Sequence, residues 1–425
     1  MKRLSVILCL FALLGAQSCG DPEISAPQNT GKTAVIEPGT NPGTDPGTNP
    51  GTDPGTDPGT DPGTDPGTNP GTDPGTGSET VGKLCKEEFL GQSPRIIAYM
   101  TEYTSVSTID ASCLTHINYA HGRFGNPKTG DGGIVISEGS NGLMKKVIAL
   151  KEKKPSLKVL LMIGGWGEHA DGFSMMARDA AKRSAFCHAC KQHIDNYGFD
   201  GIDIDWEYPG GGPSTNGKSD ADPKNFVLVL KELRDSIGDT KIISYASSSS
   251  AKYMDWKGAM EYLDYVNVMT YDMGKPPKGH NSPLQSSKTF SQTGCKESID
   301  LHVKAGVPKS RMNMGVPFYG HGVSPYDSDV KFISMADIFA AKEGSKYYGK
   351  NIRKWDDTAK VPYLTDGDGN ILLSYDDEES VTAKGQFVKD NNIGGAMFWE
   401  FRHDDSKGTL RKALCRAIYG KESTL

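Results

Sequence analysis

The chain has 425 residues, 36% of them hydrophobic and 24% charged, with a formal net charge of −6 and a pI near 5.9. That apolar content over that length suffices for one large domain or two small ones, which excludes a chain disordered throughout. The charge excludes the basic field that nucleic acid requires. Six aspartates of one low-complexity tract, Asp45, Asp53, Asp57, Asp61, Asp65 and Asp73, already equal it.

The N-terminus reads as an export signal. Lys2 and Arg3 precede an apolar run from Leu4 to Leu14, and Gly15 and Ala16 lead into "AQSC", which ends at Cys19. That run is too short to span a bilayer comfortably as a helix, and no other segment is long and apolar enough to do so. The residues around Cys19 resemble a bacterial lipoprotein signal in a loose form, with Gln17 where a stricter pattern has a small residue. The resemblance implies removal of residues 1–18, a lipid on Cys19, and a protein exported and anchored to a bacterial membrane, at the outer membrane or cell surface. An ordinary secretory signal cleaved nearby is the alternative. From Pro38 to Thr76 the unit Pro-Gly-Thr occurs ten times, separated by Asn or Asp. Proline every fourth residue beside glycine forms neither a helix nor a ladder, and the tract has nothing apolar to bury. Residues 19–80 therefore read as a disordered linker, a solvated tether between lipid and domain.

The ordered domain runs over residues 81–420. Apolar, β-branched runs recur along it: "RIIAY" 95–99, "THINYA" 115–120, "KVLLMI" 158–163, "GIDID" 201–205, "KIISYA" 241–246, "DYVNVM" 264–269, "MNMGVP" 312–317 and "GGAMFW" 394–399. Helix-like stretches fall between them, among them 172–197, 222–236, 297–305 and 379–391. Strands nearly continuous in apolar residues, alternating with helices, suit a parallel sheet covered on its outer face. The pattern points to an α/β fold, with a (β/α)8 TIM barrel as the leading architecture and a doubly wound open sheet as the alternative.

Within the fourth run, "FDGIDIDWEYPG" places Asp200, Asp203, Asp205 and Glu207 within eight positions. Side chains alternate along a strand, so Asp203, Asp205 and Glu207 share one face while Ile202, Ile204 and Trp206 share the other. In a barrel the three carboxylates face the axis, about 7 Å apart in succession. Glu207 falls at the C-terminal end, where barrel enzymes keep their chemistry. A buried row of like charges is costly unless protons are shared, so at least one acid is expected to have a raised pKa and to serve as a proton donor at neutral pH. A calcium loop also spaces its acids at alternate positions, but in solvated, glycine-rich turns without isoleucine and tryptophan between them. No metal and no cofactor are expected.

"DGIDIDWE" resembles the DxxDxDxE signature of glycoside hydrolase family 18, the chitinases and endo-β-N-acetylglucosaminidases. Further segments resemble the family in the expected order: "YMTEY", "LTHINYA", "LLMIGGW", "MTYDM" followed by "GHNSPL", "GVPFYG" and "GGAMFWEF". The resemblance implies substrate-assisted retention, an exception to the two-carboxylate scheme. Glu207 would then be the general acid and later the base. Asp205 would orient the substrate's acetamido group, Asp203 would share a proton with Asp205, and Tyr271 would steady the acetamido oxygen. By the same resemblance Tyr99, Trp399, Asp272, Met269, Tyr319, Gly165 and Trp166 would bind the sugar, with Trp399 as its apolar floor, and Asp200 would support the strand. Without the neighbouring motifs, these tyrosines and tryptophans would read as core residues whose polar atom has found a partner.

The chain also departs from the family pattern. Met162 stands where the third strand often carries serine, so a hydrogen bond to the acid row is expected to be missing. His121 follows Ala120 where phenylalanine is usual, and reads either as a sugar contact or as a satisfied polar residue near the strand end. His321 replaces a common arginine after "FYG". The stretch 322–378 resembles a shortened form of an α+β insertion that walls one side of the cleft between strands 7 and 8 in some chitinases. "DGDGN" within it reads as a hairpin turn and Trp355 as a candidate stacking platform. "CHAC" at 187–190 falls in a helical stretch with no second CxxC, which favours reduced or structural cysteine over zinc or redox chemistry. The implied partner is an N-acetylglucosamine-containing polysaccharide or oligosaccharide, such as chitin or chitooligosaccharides. N-glycans are the alternative substrate, and a non-catalytic glycan-binding protein is a further reading that the presence of Glu207 disfavours.

Overall fold

A computed structural model describes residues 83–423, apart from 106–108, 215–216, 288–289 and 291. The expected signal, Cys19 and the linker lie outside the described residues. All eight apolar runs form strands: β1 Arg95–Thr101, β2 His116–Phe124, β3 Lys158–Gly165, β4 Gly201–Trp206, β5 Ile242–Ser248, β6 Tyr265–Met269, β7 Met312–Pro317 and β8 Gly395–Trp399. Each pairs in parallel with the next, and β1 bonds both β2 and β8, so the sheet closes on itself. That closure decides for the barrel over the open sheet.

Helices cover the outside. Asp222–Ile237 shows why: Phe226, Val229, Leu230 and Leu233 recur at helical spacing and are buried, giving one apolar stripe that packs on the sheet. The expected helical stretch 172–197 is two helices, Phe173–Ala177 and Ala180–Tyr197. The break falls at Asp179, whose side chain accepts from the Ala181 and Lys182 N–H groups and so caps the second helix. Cys187 and Cys190 lie on that second helix, both buried.

The alternation along β4 is realised on both faces. Ile202, Ile204 and Trp206 join the layer between sheet and helices, where the Trp206 ring stacks on Phe173 at 5.3 Å and meets Phe226 edge-on at 5.4 Å. The barrel interior holds a separate cluster that includes Tyr99, Met162, Met269, Tyr271, Tyr319 and Met397.

The insertion after β7 is a five-stranded antiparallel sheet. Its strands run in the order Asp329–Lys331, Tyr319–Gly322, Ile371–Ser374, Val361–Thr365 and Ile352–Asp356, accompanied by the short helix Met335–Phe339. It begins at Tyr319 rather than at 322, because Tyr319 and His321 pair with Lys331 and Asp329 immediately after β7 ends. "DGDGN" is the turn between two of these strands, closed by the Asp366 N–H on the Asn370 carbonyl. Tyr326, Val330, Leu364, Leu373 and Tyr375 give the insertion its own small core.

Candidate active site

The acid row starts at the closed end of the barrel. Asp200, just before β4, accepts from the Lys151 ammonium at 2.7 Å and the Val159 N–H at 2.8 Å, and so ties β4 to its neighbours. Asp203 is fully buried on the axis. Its Oδ2 accepts from the Tyr99 hydroxyl at 2.8 Å, and its Oδ1 from Ser244 at 2.5 Å and Asn267 at 3.0 Å. Asn267 accepts in turn from Asn313, and Asn313 from Arg95, each at 2.9 Å. Strands β1, β5, β6 and β7 thus converge on one carboxylate. The departure at Met162 is visible here: it sits in register beside Asp203 and offers no donor, and Ser244, Tyr99 and Asn267 supply the hydrogen bonds instead.

Asp205 lies beside Gly164, a position only glycine can fill. Its φ is +108°, and a Cβ there would stand 2.2 Å from the Asp205 carbonyl oxygen. Asp205 Oδ1 is buried without a hydrogen-bond partner. Glu207 is one residue beyond β4, also buried, and Gly210 at φ +71° turns the chain away shortly after Pro209.

Burial dominates the electrostatics of the row. It pushes Asp203 up to about 6 against the hydrogen bonds from Ser244, Tyr99 and Asn267, which favour the charged form. Asp205 is pushed well above the carboxylate range by burial and then by the charges of Glu207 and Asp203. Burial takes Glu207 up to about 7, with Tyr208 opposing and the Asp272 charge adding to the rise. The row therefore holds protons at neutral pH, with its outermost member poised to exchange one.

Other residues expected at the site gather at the open end of the barrel. Tyr271 is buried, with its ring 6.1 Å from that of Tyr319. The Tyr319 hydroxyl donates to Asp272 Oδ1 at 2.8 Å, and His321 Nε2 stands 2.6 Å from the same oxygen. Trp399 is half-buried, 5.6 Å from the Tyr99 ring and 6.3 Å from that of His121. Met269 ends β6 within the interior cluster. Gly165 ends β3, and Trp166 follows it with its side chain exposed and its ring 6.4 Å from Tyr208. His121 has a hydrogen-bond partner, its Nδ1 standing 2.8 Å from Glu102, and its ring stacks on His169 at 4.9 Å. Trp355, on the strand Ile352–Asp356, is half-buried with the Arg353 guanidinium 5.3 Å from its ring.

Ser244, Asn267 and Asn313 escaped the sequence reading. Each is a polar residue inside an otherwise apolar strand, in "KIISYA", "DYVNVM" and "MNMGVP", and that misfit was the available signal. Among the described residues no group of three or more His, Cys, Asp or Glu side chains is arranged to hold a metal ion.

Residues 95–404 match the family model described as glycosyl hydrolases family 18. Chitinase A1 of Niallia circulans is 30% identical over 406 residues, covering 77% of this chain and 58% of that one, so this chain spans less than two thirds of that relative. Chitinase B of Serratia marcescens is 26% identical, covering 74% of this chain and 78% of its own length. Among solved structures, a glycoside hydrolase family 18 N-acetylglucosaminidase from Paenibacillus barengoltzii superimposes with a TM-score of 0.64 at 29% identity, over 76% of this chain and 99% of that one.

Proposed function

Since the chain belongs to glycoside hydrolase family 18, matched over residues 95–404, we propose that it cleaves β-1,4-linked N-acetylglucosamine polymers or oligomers with retention, by substrate-assisted catalysis. The observation that carries the reading is Asp205. It is buried between two other acids, protonated or proton-sharing, with one oxygen left without a partner. An acetamido N–H presented from the open end of the barrel would satisfy that oxygen.

The chemistry then follows from the order of the row. Protonated Glu207 gives its proton to the glycosidic oxygen as the C1–O bond breaks, and the substrate's own acetamido carbonyl oxygen forms a bond to C1 on the opposite face. The resulting oxazolinium ion is positive, and its N–H donates to Asp205, which Asp203 supports from below through the shared proton. Tyr271 steadies the acetamido oxygen. Water next attacks C1 from the side the leaving group vacated, Glu207 takes its proton, and the acetamido oxygen departs. Two displacements at one carbon retain the β configuration. Tyr99, Asp272, Met269, Tyr319, Gly165, Trp166 and Trp399 complete the sugar site, Trp399 as its apolar floor.

Release of sugars from an N-acetylglucosamine hexamer, compared with release from an N-glycosylated protein, tests the substrate. Hydrolysis of the hexamer is expected. Activity on the glycoprotein alone transfers the reading to an endo-β-N-acetylglucosaminidase, and binding of either without cleavage transfers it to a non-catalytic binder. Export and lipid attachment at Cys19 belong to the same proposal, and Cys19→Ala is expected to move the protein from the membrane fraction to the soluble one.

A further inference from the structure

His321 is almost wholly enclosed, with a side chain 4% exposed, yet both ring nitrogens meet only acceptors. Nε2 stands 2.6 Å from Asp272 Oδ1, and Nδ1 stands 2.9 Å from Asp329 Oδ1 and 3.1 Å from the Ser328 carbonyl. A neutral imidazole has one N–H, so one of these contacts would then set a lone pair against an acceptor. Only the imidazolium satisfies both sides. The two carboxylates are themselves 55% and 66% exposed, so neither is held by burial. Asp272 lies on the loop after β6, at φ +57°, close enough to Glu207 to raise its pKa. Asp329 lies in the insertion. His321 therefore joins Tyr319 in bridging the insertion to the loop that carries Asp272, and it alone of the two also reaches Asp329.

We propose that His321 is a positioning residue of the sugar site: as an imidazolium clamped between Asp272 and Asp329, it holds the Asp272 carboxylate in place, and substrate affinity falls when the ring loses its proton. The proposal rests on the glycosidase reading above for the role of Asp272, and on the geometry alone for the clamp. Asp272 Oδ1 also accepts from the Tyr319 hydroxyl, and the imidazolium on the other side adds a second, ion-paired contact to the same oxygen. The charged and titratable groups around the ring are few. Tyr319 shares its strand, and Asp329 and Lys331 come from the neighbouring strand, while Ile371–Ser374 on the other side contributes no charge. Asp272 and Lys275 come from the loop after β6, and His403 stands behind Tyr319 with the two rings 6.0 Å apart. Burial works to lower the ring's pKa. The hydrogen bond and charge of Asp272, with the Ser328 carbonyl, outweigh both burial and Lys275 and leave it above the ordinary histidine value.

The clamp is read directly by nitrogen NMR on protein labelled in its histidine rings, with the His321 signals identified by their loss in His321→Gln. At pH 6.5, where a free histidine is about half protonated, both His321 nitrogens are expected to carry hydrogen, and Asp272→Asn is expected to lower the titration midpoint. Affinity is measured separately in the Glu207→Gln chain, where Glu207 no longer titrates. The Kd for an N-acetylglucosamine hexamer should rise about tenfold across the His321 midpoint. His321→Arg should abolish that step, and His321→Gln should show the weaker Kd throughout. A neutral ring at pH 6.5, a midpoint unmoved by Asp272→Asn, or a pH-independent Kd would overturn the proposal. If no variant binds the hexamer, the substrate assignment fails and the effect on affinity fails with it, while the NMR midpoint still decides whether Asp272 holds the ring.

Discussion

Asp264 and Asp376 are as deeply buried as Asp203 and Asp205, at 5% and 3% exposure against 0% and 4%. Each of the first pair touches a cation. Asp264 meets the Arg234 guanidinium at 2.7 Å and takes the Cys85 and Ile243 N–H groups, and Asp376 meets the Lys384 ammonium at 2.6 Å and the Ser380 hydroxyl at 2.7 Å. Among the described residues Asp203, Asp205 and Glu207 form no ion pair, and they have each other for company. Burial raises the pKa of the paired carboxylates too, but there Arg234 and Lys384 oppose the rise, and the ion pairs join elements together. At Asp205 the neighbouring charges of Glu207 and Asp203 add to the rise instead, and with Glu207 up to about 7 the outer row can hold a proton and pass it on. The difference separates scaffold from chemistry within a single barrel.

The largest effect is expected at the outer end of the unpaired row. Glu207→Gln should lower kcat by about 10²–10⁴-fold while sugar binding persists, and an unaltered rate would remove Glu207 from the role of general acid. Stability should show the reverse ranking. Lys384→Met strands Asp376 without its partner and should cost about 3–5 kcal/mol in urea unfolding. Asp205→Asn at pH 8 should leave stability unchanged or raise it, and a loss comparable to that of Lys384→Met would erase the distinction between the two sets.

The pH dependence sharpens the same contrast. Asp203 and Glu207 titrate near about 6 and 7 in the folded chain, above the ordinary carboxylate values of about 3.9 and 4.3. With folded pKa values raised, the unfolded chain gives up these protons first. Their contribution to stability is thus fully present below about pH 4 and is lost as the pH rises through 6 to 7. The melting temperature of the wild type should therefore drop, relative to an Asp203→Asn, Glu207→Gln double variant, between pH 5 and 8. A constant difference between the two would contradict the raised values. The smallest effect is expected from Met162→Ser, which places a hydroxyl beside Asp203. It should favour the ionised form and move the acidic limb of kcat/KM down by about half a pH unit.

Local pattern made much of this molecule legible. The eight strands are runs in which Ile, Val, Leu and Met dominate, and such runs declare a buried parallel strand without help from the rest of the chain. The acid row was legible for the same reason, since the strand period alone puts Asp203, Asp205 and Glu207 on one face. Barrel closure was not, because only the pairing of Arg95–Ala98 with Gly395–Phe398, some 300 residues apart, distinguishes a barrel from an open sheet. The network around Asp203 was hidden likewise: Ser244 and Asn267 bond it and Asn313 bonds Asn267, ordinary polar residues until the strands bring them together. His321 could be noted as an unusual residue, but its bond to Asp329 depends on a sheet whose first strand starts at Tyr319, before the expected insertion at 322.

The central claim, that an acid row without counter-charge makes the substrate's own acetamido group the nucleophile, is tested most directly by the anomeric form of the first product. Proton NMR recorded during hydrolysis of an N-acetylglucosamine hexamer should show the β anomer appearing first and mutarotating afterwards, with no turnover of the fully de-N-acetylated hexamer. Initial release of the α anomer, or cleavage of the de-N-acetylated chain at a comparable rate, would contradict it.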